Sequence, residues 1–460
     1  MSDYKNLSPV DSPGIYTPQD YSIQALDFVT SSGSVIDLKK LMVEMSIYED
    51  LYSFSMSGYI SLRDAQGFIE LLQLTGNEFI KIDFGKMKNA PNNIVQTFKV
   101  YKVGNRKPDG NQNTENYTIY FCSEELMLSE QTKISQSYKG KKISEIVTDI
   151  ISNKLKTPSS KIGKIEDTTG VYDIVVPRLK PFEAISWVSL YARPTATNLV
   201  GADMLFFETS NGYNFRSLQS LYSEPIYSTY KHQPQNLDYS MQSFQDKVTS
   251  VLKYELVKSY DSLNDTSAGA FANRLVSIDP LTRTFKTTDF NLTKYRGESK
   301  SLNSGAPTNI VKNRLGVAQD QSYNANFKVS ISNSNQTNVK YIKDREGSTI
   351  KDMFIETIIP MRTAQLSLAN YTVLKLSIPG DPGITVGRTI QFDVLSLKPT
   401  DKEKGADKFY SGKYLVTAVR HVIQAQGVYQ TVLEVAKDST STSYSSGNEN
   451  TSFWKSITNE

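Results

Sequence analysis

The sequence predicts a mainly β fold with α+β insertions, and three observations indicate it. Residues 414–423 and 428–435 are rich in β-branched and aromatic residues, as strands are. Gly427 lies between them and can supply the positive φ that a hairpin turn needs. Short strand-like runs recur between turn residues over residues 21–127, whereas helical periodicity is clear over only a few segments. A protein dominated by short antiparallel strands follows.

Alternation within the last predicted strand separates a core face from a solvent face. Tyr429, Leu433 and Val435 share one face, and burying each contributes roughly 1.5–3 kcal/mol. An isolated hairpin does not persist in water, so a barrel or a second sheet must cover that face. Val416 in the neighbouring strand is predicted to be buried as well.

Length and composition bound the class of protein. A chain of 460 residues predicts three or four domains. The net charge is +3, from 51 basic and 48 acidic residues, and this near balance does not indicate a nucleic-acid-binding surface. Cys122 is the single cysteine, so a small buried side chain is predicted and a disulfide framework is excluded. With no signal-peptide pattern and no apolar run near ~20 residues, a soluble protein made in a cytoplasm is expected.

Residues 1–20 are predicted to be an arm, because a proline-rich polar segment buries too little surface to fold alone. Residues 21–127 then read as a barrel or a sandwich. Within them, residues 54–62 alternate, with Phe54 and Leu62 on the same apolar face. A short helix is predicted over residues 68–74. The other strands predicted there are 34–38, 41–48, 79–84, 97–103 and 117–123.

Residues 128–222 read as a small α/β unit. Apolar residues recur at helical spacing over residues 143–155, and Pro158 ends that helix. A second helix is predicted over residues 181–192, where Pro181 suits the first turn. The strands predicted there are 171–176, 204–209 and 212–215.

The second half is less regular. Residues 246–257 fit a strand or a helix, and residues 291–340 read as long loops with isolated strands. A helix is predicted over residues 361–371, and strands over 371–378 and 389–395. Residues 438–460 form a serine- and threonine-rich tail that should be mobile unless Phe453 and Trp454 dock on a partner.

A weak echo links the two halves. Gly76 precedes an apolar strand that contains Asp83, and Gly387 precedes one that contains Asp393. Two ordinary strands that each begin after a glycine are the favoured explanation, so duplication is only a suggestion at this point.

A search for catalytic chemistry finds little. Neither His232 nor His421 has a ligand-spaced histidine or cysteine nearby, which favours structural or surface roles. Glu124 with Glu125, and Asp401 with Glu403, lie in ordinary polar contexts, and the basic run at 138–142 is typical of a solvated face. There is no nucleophile elbow or phosphate loop. The prediction is a protein that is not an enzyme and holds no cofactor or metal.

Several segments together resemble the baseplate hub subunit of contractile-tailed, T-even-like phages and, more distantly, the hub portion of type VI secretion spike proteins. Each motif is weak alone, but their shared order spans about residues 25–437. The segments are MVEMSIYEDL at 42–51, SGYISLRD at 57–64, GNE at 76–78, SQSYKGKKISEIV at 135–147, VPRLKPFEAI at 176–185, GAFANRLVSIDPLTRTF at 269–285 and GKYLVTAVRH at 412–421.

The resemblance implies two tube-type β-barrel domains and two smaller mixed domains. It places the first barrel at 21–127 and the α/β domain at 128–222. The second barrel is split into 223–262 and 366–437, around a loop-rich insertion at 263–365. The arm at 1–20 and the tail at 438–460 complete the chain.

The resemblance also implies a function. A homotrimer would present six similar barrels, adapt the sixfold tail tube to the threefold tail spike, and enclose the genome-ejection channel. The implied partners are the spike, tube, tape-measure and baseplate wedge proteins, with non-specific passage of DNA, in a virion assembled in the host cytoplasm. Two alternatives stay open, a virion adhesin that binds host glycans and a tail-associated cell-wall hydrolase.

Overall fold

The computed structural model describes most of the chain. The described residues are 17–72, 74–86, 92–108, 110, 114–195, 201–232, 243–279, 283–306, 316–323, 326–331, 355–396, 406–425 and 427–442. The fold is mainly β, as predicted. None of the described helices is long and apolar enough to span a membrane.

The strands are numbered in chain order: β1 Ser22–Val29, β2 Val35–Asp37, β3 Met42–Asp50, β4 Ser57–Asp64, β5 Phe79–Gly85, β6 Ile94–Pro108, β7 Glu115–Cys122, β8 Ile134–Lys141, β9 Ile162–Ile165, β10 Tyr172–Leu179, β11 Met204–Thr209, β12 Gly212–Ser217, β13 Ile226–His232, β14 Lys253–Lys258, β15 Ala272–Asp279, β16 Thr284–Asn291, β17 Phe327–Ile331, β18 Thr372–Pro379, β19 Thr389–Val394, β20 Gly412–Gln424 and β21 Val428–Lys437. The helices are α1 Phe68–Leu72, α2 Glu124–Gln131, α3 Ile143–Asp149, α4 Pro181–Ser189, α5 Leu218–Tyr222, α6 Phe244–Val248, α7 Ser262–Ala268, α8 Leu292–Glu298 and α9 Ile355–Ala369.

One large sheet runs through both halves of the chain. Its 13 strands follow the order β14-β18-β21-β20-β3-β4-β7-β6-β5-β1-β2, while β19 pairs with β20 and β13. The antiparallel pairing of β3 with β20 joins the two halves. Strands that are distant in sequence therefore share one continuous hydrogen-bonded surface.

Two hydrophobic cores lie against this sheet. One gathers apolar side chains from β1 to β7, together with Ile423 and Tyr429. The other gathers side chains of β18 to β21, such as Leu376, Phe392 and Val416. The alternation predicted for β21 is confirmed, because Tyr429, Leu433 and Val435 are all fully buried.

The hairpin between β20 and β21 has the predicted turn. Gly427 has φ 86°, a left-handed conformation that costs glycine little and a residue with a Cβ more. Its amide donates to the Gln424 carbonyl. The prediction of a glycine-dependent hairpin is confirmed.

The segment after β3 differs from the prediction. Strand β4 begins at Ser57, so Phe54 is outside it. Phe54 instead packs on Phe182 and Phe206, in the core of the α/β unit. From Met56 to Leu62 the predicted alternation is confirmed, with Met56, Ile60 and Leu62 buried.

Residues 128–222 contain both predicted helices. Helix α3 passes into a π-helical turn, Ile150–Lys154, and the chain leaves it at Leu155, before Pro158. Around α3 and α4 lie an antiparallel pair, β8 with β10, and a three-stranded sheet of β11, β12 and β9. The predicted hairpin at 204–215 is confirmed as β11 and β12.

The less regular part of the second half holds more order than the sequence indicates. Residues 246–257 contain both a helix, α6, and a strand, β14. Strands β15, β16 and β17 form a small sheet, and α9 packs on it, starting at Ile355 instead of near residue 361. The sequence of this region lacks the periodicity that would predict these elements.

Both ends of the described chain are held against the fold. The Gln19 carbonyl accepts a hydrogen bond from the Tyr429 amide, at the end of the predicted arm. At the start of the predicted tail, Asp438 is buried and accepts from the Leu302 amide, and Thr440 exchanges backbone hydrogen bonds with Gly305. Residues 1–16 and 443–460 lie outside the described part.

Candidate assembly surface

The described residues do not assemble a catalytic centre from the predicted candidates. No group of three or more His, Cys, Asp or Glu side chains in that part of the chain could hold a metal ion. Cys122 is a buried free thiol, as predicted, and burial raises its pKa to about 11. A protonated thiol is a poor nucleophile, so this cysteine serves packing.

The two histidines have structural surroundings. His421 is fully buried in β20, and its Nδ1 lies 2.8 Å from the Tyr429 hydroxyl. Burial lowers the His421 pKa to about 3, so the ring is neutral at physiological pH. The ring of His232 lies at the end of β13, edge-on to Tyr254.

The other candidates are scattered. Glu125 is buried and paired with Lys161 at 3.1 Å, while Glu124 starts α2. In the basic run, Tyr138 donates to Asp149 and Lys142 pairs with Asp167. These contacts make the run part of the α/β unit's surface.

Four predicted site residues cannot be placed. Asp401, Glu403, Phe453 and Trp454 lie outside the described residues. The proposal that Phe453 and Trp454 contact a partner stays a prediction.

The two halves of the large sheet repeat one strand order. The first half runs β3-β4-β7-β6-β5-β1, and the second runs β14-β18-β21-β20-β19-β13. The strands of each series also follow one another along the chain in the same way. The last strand of the series, β1 or β13, comes first in the sequence. The first two strands of the series follow it, and then the other three in reverse order. The one difference in direction is that β1 is antiparallel to β5, whereas β13 is parallel to β19.

A shared irregularity extends the repeat to single residues. In the β6–β7 pair the register shifts between Val100 and Lys102, which leaves Tyr101 as an extra residue. In the β20–β21 pair it shifts between Val416 and Ala418, which leaves Thr417. β-Bulges re-aim a strand and are specific features of a sheet. The same bulge at corresponding places is unlike chance similarity of two ordinary hairpins.

The tip of the β11–β12 hairpin contacts β3, the strand through which the two halves of the large sheet pair. Glu49, in β3, accepts hydrogen bonds from the Ser210 amide at 2.8 Å and the Val386 amide at 3.1 Å. Glu208, in β11, accepts from the Met56 amide at 2.8 Å and the Ser123 hydroxyl at 2.6 Å. Two carboxyl groups thus connect the α/β unit to the large sheet.

Burial sets the ionisation of these two groups. Desolvation raises the pKa of Glu49 to about 7 and that of Glu208 to about 7, although their hydrogen bonds act in the opposite direction. Their mutual repulsion raises the Glu49 pKa further. The junction therefore titrates near neutral pH.

A row of tyrosines crosses one face of the large sheet. Tyr48, Tyr59, Tyr120 and Tyr101 lie on four adjacent strands, with ring centroids 6.2–6.3 Å apart. Arg420 lies over Tyr48, and Lys102 lies over Tyr120. In the repeated strand order, Lys375 corresponds to Tyr59 and Glu434 corresponds to Tyr120. The second half therefore carries charged side chains where the first half carries aromatic rings.

Sequence reasoning missed the tyrosine row and the buried carboxyl groups. The signals were present in the alternation, because Tyr48 and Tyr59 lie on the polar faces of their strands, whereas Glu49 and Glu208 lie on the apolar faces. Only the pairing of distant strands shows that these residues meet.

Comparison with known proteins finds a relative whose sequence aligns with nearly the whole chain. The probable baseplate hub protein gp334 of Vibrio phage KVP40 is 22% identical over 450 residues, which cover 95% of this chain and 97% of the relative. The predicted resemblance to baseplate hub proteins is confirmed. No protein-family model matches the chain.

Two solved structures of tail proteins share this fold. A tail protein from Neisseria meningitidis MC58 matches with a TM-score of 0.50 and 9% identity, covering 92% of this chain and all (100%) of that protein. The 43 kDa tail protein of prophage MuSo2 from Shewanella oneidensis matches with a TM-score of 0.51 and 10% identity, covering 90% of this chain and 99% of that protein. At such low identity, these matches concern the fold alone.

Proposed function

We propose that this chain is the central hub subunit of a contractile-tail baseplate and a structural component of the virion. The support is its similarity to a probable phage baseplate hub protein from end to end. In this proposal three copies form a ring that adapts the sixfold tail tube to the threefold spike and encloses the channel for the genome.

The repeated strand order carries the proposal. Two like modules in each chain give six modules in a ring of three, which is the arithmetic that joins a sixfold to a threefold partner. The first module corresponds to residues 21–127, and the second to residues 223–262 with 366–437. The α/β domain at 128–222 and the insertion at 263–365 then lie outside the repeat.

The continuous sheet supplies a wall for the channel. One face of it packs on the two cores, and the opposite face carries polar and half-exposed side chains such as Tyr48, Tyr59 and Arg420. A ring of such sheets has an inner surface suited to non-specific passage of DNA. Its two ends would contact the tube and the spike, and the tape-measure and wedge proteins are further partners of the proposed baseplate.

The proposed role is not enzymatic. Among the predicted catalytic candidates that the structure describes, His421 is buried against Tyr429, and Glu125 is paired with Lys161. Assembly in the host cytoplasm and a place in the tail baseplate follow from the proposed role.

The test is the mass of the purified protein, alone and mixed with the spike protein of the same phage. Light scattering should give three times the 51.6 kDa of one chain for the protein alone, or that mass plus the mass of the bound spike for the mixture. A protein that stays at the mass of one chain under both conditions, and binds no tail component, overturns the proposal.

A further inference from the structure

Two strand edges in the large sheet are left open within the described part of the chain. Strand β5 pairs with β6 from Ile94 to Lys99, which leaves that edge of β6 free beyond residue 100. Strand β14 pairs with β18 on one side, and no described strand pairs with its other side. Open edges present unpaired amide and carbonyl groups, which another strand can bind.

The corresponding edges are joined inside the chain. Strand β20 pairs with β19 up to Leu415, and from Ala418 onward the same edge pairs with β3. By the repeated strand order, β6 corresponds to β20, and β14 corresponds to β3. The junction of β20 with β3 therefore has a counterpart, the junction of β6 with β14, which a single chain leaves unmade.

The chain does not make this second junction with itself. Strands β14 and β6 are separated by six other strands in the sheet order. At about 4.8 Å per strand, the seven steps amount to roughly 34 Å along the sheet. A second copy is the partner that the repeat requires.

We propose that the distal half of β6, residues 101–108, pairs antiparallel with β14 of the next copy. The inference rests on the proposed ring of hub subunits and specifies which strands close it. It extends the established junction of β3 with β20 around the assembly.

The internal junction predicts the register. Arg420 lies opposite Tyr48, and Val422 lies opposite Ser46. Comparison of the β6–β7 pairing with the β20–β21 pairing shows that Gly104 corresponds to Arg420 and Lys107 to Val422. In the same way, Lys258 corresponds to Tyr48 and Glu255 to Ser46. Gly104 should then face Lys258, and Lys107 should face Glu255.

Two bulges make this register continuous. Strand β6 has one extra residue between Gly104 and Lys107, and β14 has one between Leu256 and Lys258. Each would break the ladder if it occurred alone. Because one occurs on each strand, three steps along β6 match three steps along β14, and the pairing stays in phase.

The side chains suit this pairing. Lys107 and Glu255 are both exposed and oppositely charged, and directly opposed charges of this kind stabilise antiparallel strands. Gly104 adds no charge opposite Lys258. On β14, Leu256 and Val257 are 43% and 57% exposed, which is unusual for apolar residues in a sheet unless a partner covers them.

Cysteine cross-linking tests the proposal in the full-length chain. Opposed residues in antiparallel strands have Cα atoms about 4.5–5.5 Å apart, within the range that a disulfide bridges. Under mild oxidation, the variant K107C/E255C should form covalent species at multiples of the 51.6 kDa chain mass. The control K81C/E255C should stay at the single-chain mass, because Lys81 lies within the paired strand β5.

Charge exchange gives a second readout that does not depend on oxidation. The single variants K107E and E255K should each weaken assembly several-fold, and the double variant K107E/E255K should restore it. Rings that assemble without the cross-link, and without response to the charge exchange, overturn this strand pairing and leave the proposed hub function standing. A protein that forms no ring, even with the spike, removes both.

Discussion

Tyr101 and Thr417 are the extra residues of the same β-bulge in the two halves of the chain. Each follows a buried valine, Val100 or Val416, and each interrupts the pairing of a long strand with the strand after it. Together with the repeated strand order, this correspondence indicates two copies of one module in a single chain. In the proposed ring of three chains, a duplicated module would supply six similar units.

The buried face of the β20–β21 hairpin gives a first prediction. Val416 is fully buried opposite Val435, so Val416→Asp places a carboxyl group in a core without a partner. We expect a loss of several kcal/mol in the free energy of unfolding, measured by denaturant titration, and failure to enter assembled particles. The control is Val432→Asp, on the opposite face of the same hairpin. A normal melting curve for V416D would refute the face assignment.

The carboxyl groups at the junction predict a pH dependence. The folded-state pKa of Glu49 is about 7, above the 4.5 of the free side chain. Its contribution to stability is therefore complete below pH ~4.5 and is lost as the pH rises through 7. This amounts to roughly 3 kcal/mol across that range.

Glu49→Gln keeps the shape and removes the titration. We expect the free energy of unfolding of E49Q to fall less between pH 5 and pH 8 than that of the unaltered protein, with Glu208→Gln giving a similar flattening. Equal slopes for the unaltered protein and both variants would show that these groups do not titrate in that range.

Gly58 predicts a steric effect. It is the second residue of β4, where a Cβ would overlap the Ser46 carbonyl oxygen and the Phe121 ring. We expect Gly58→Ala to destabilise the protein by about 1–3 kcal/mol, because both neighbours are fixed in the sheet and core. Gly297→Ala, where a Cβ meets open space, is the control. If both variants melt at the same temperature, the close approach of β3 and β4 is not as described.

The sequence allowed much of the local structure to be predicted. Alternation located the core faces of β4 and β21, and helical spacing located α3 and α4, because each pattern is complete within one element. Phe54 was misplaced, because its partners Phe182 and Phe206 come from another unit. The small sheet of β15 to β17 was also missed, since polar composition masks strands that are stabilised by neighbours distant in sequence.

The candidate assembly surface could be predicted only in outline. The Gly76–Asp83 and Gly387–Asp393 similarity does mark corresponding strands, β5 and β19, but the sequence alone favours two ordinary strands as its explanation. The bulges at Tyr101 and Thr417 and the open edges of β6 and β14 depend on strand pairing. A β-bulge or an open edge is defined by the register of a strand with its neighbours, and this register leaves no periodic trace in one sequence.

Electron microscopy of the purified protein assembled with its spike tests the central claim most directly. The account predicts a closed ring of three chains in which six similar β modules surround a channel, with β6 of each chain against β14 of the next. A ring with another number of chains, or one whose two modules per chain do not superpose, would contradict it.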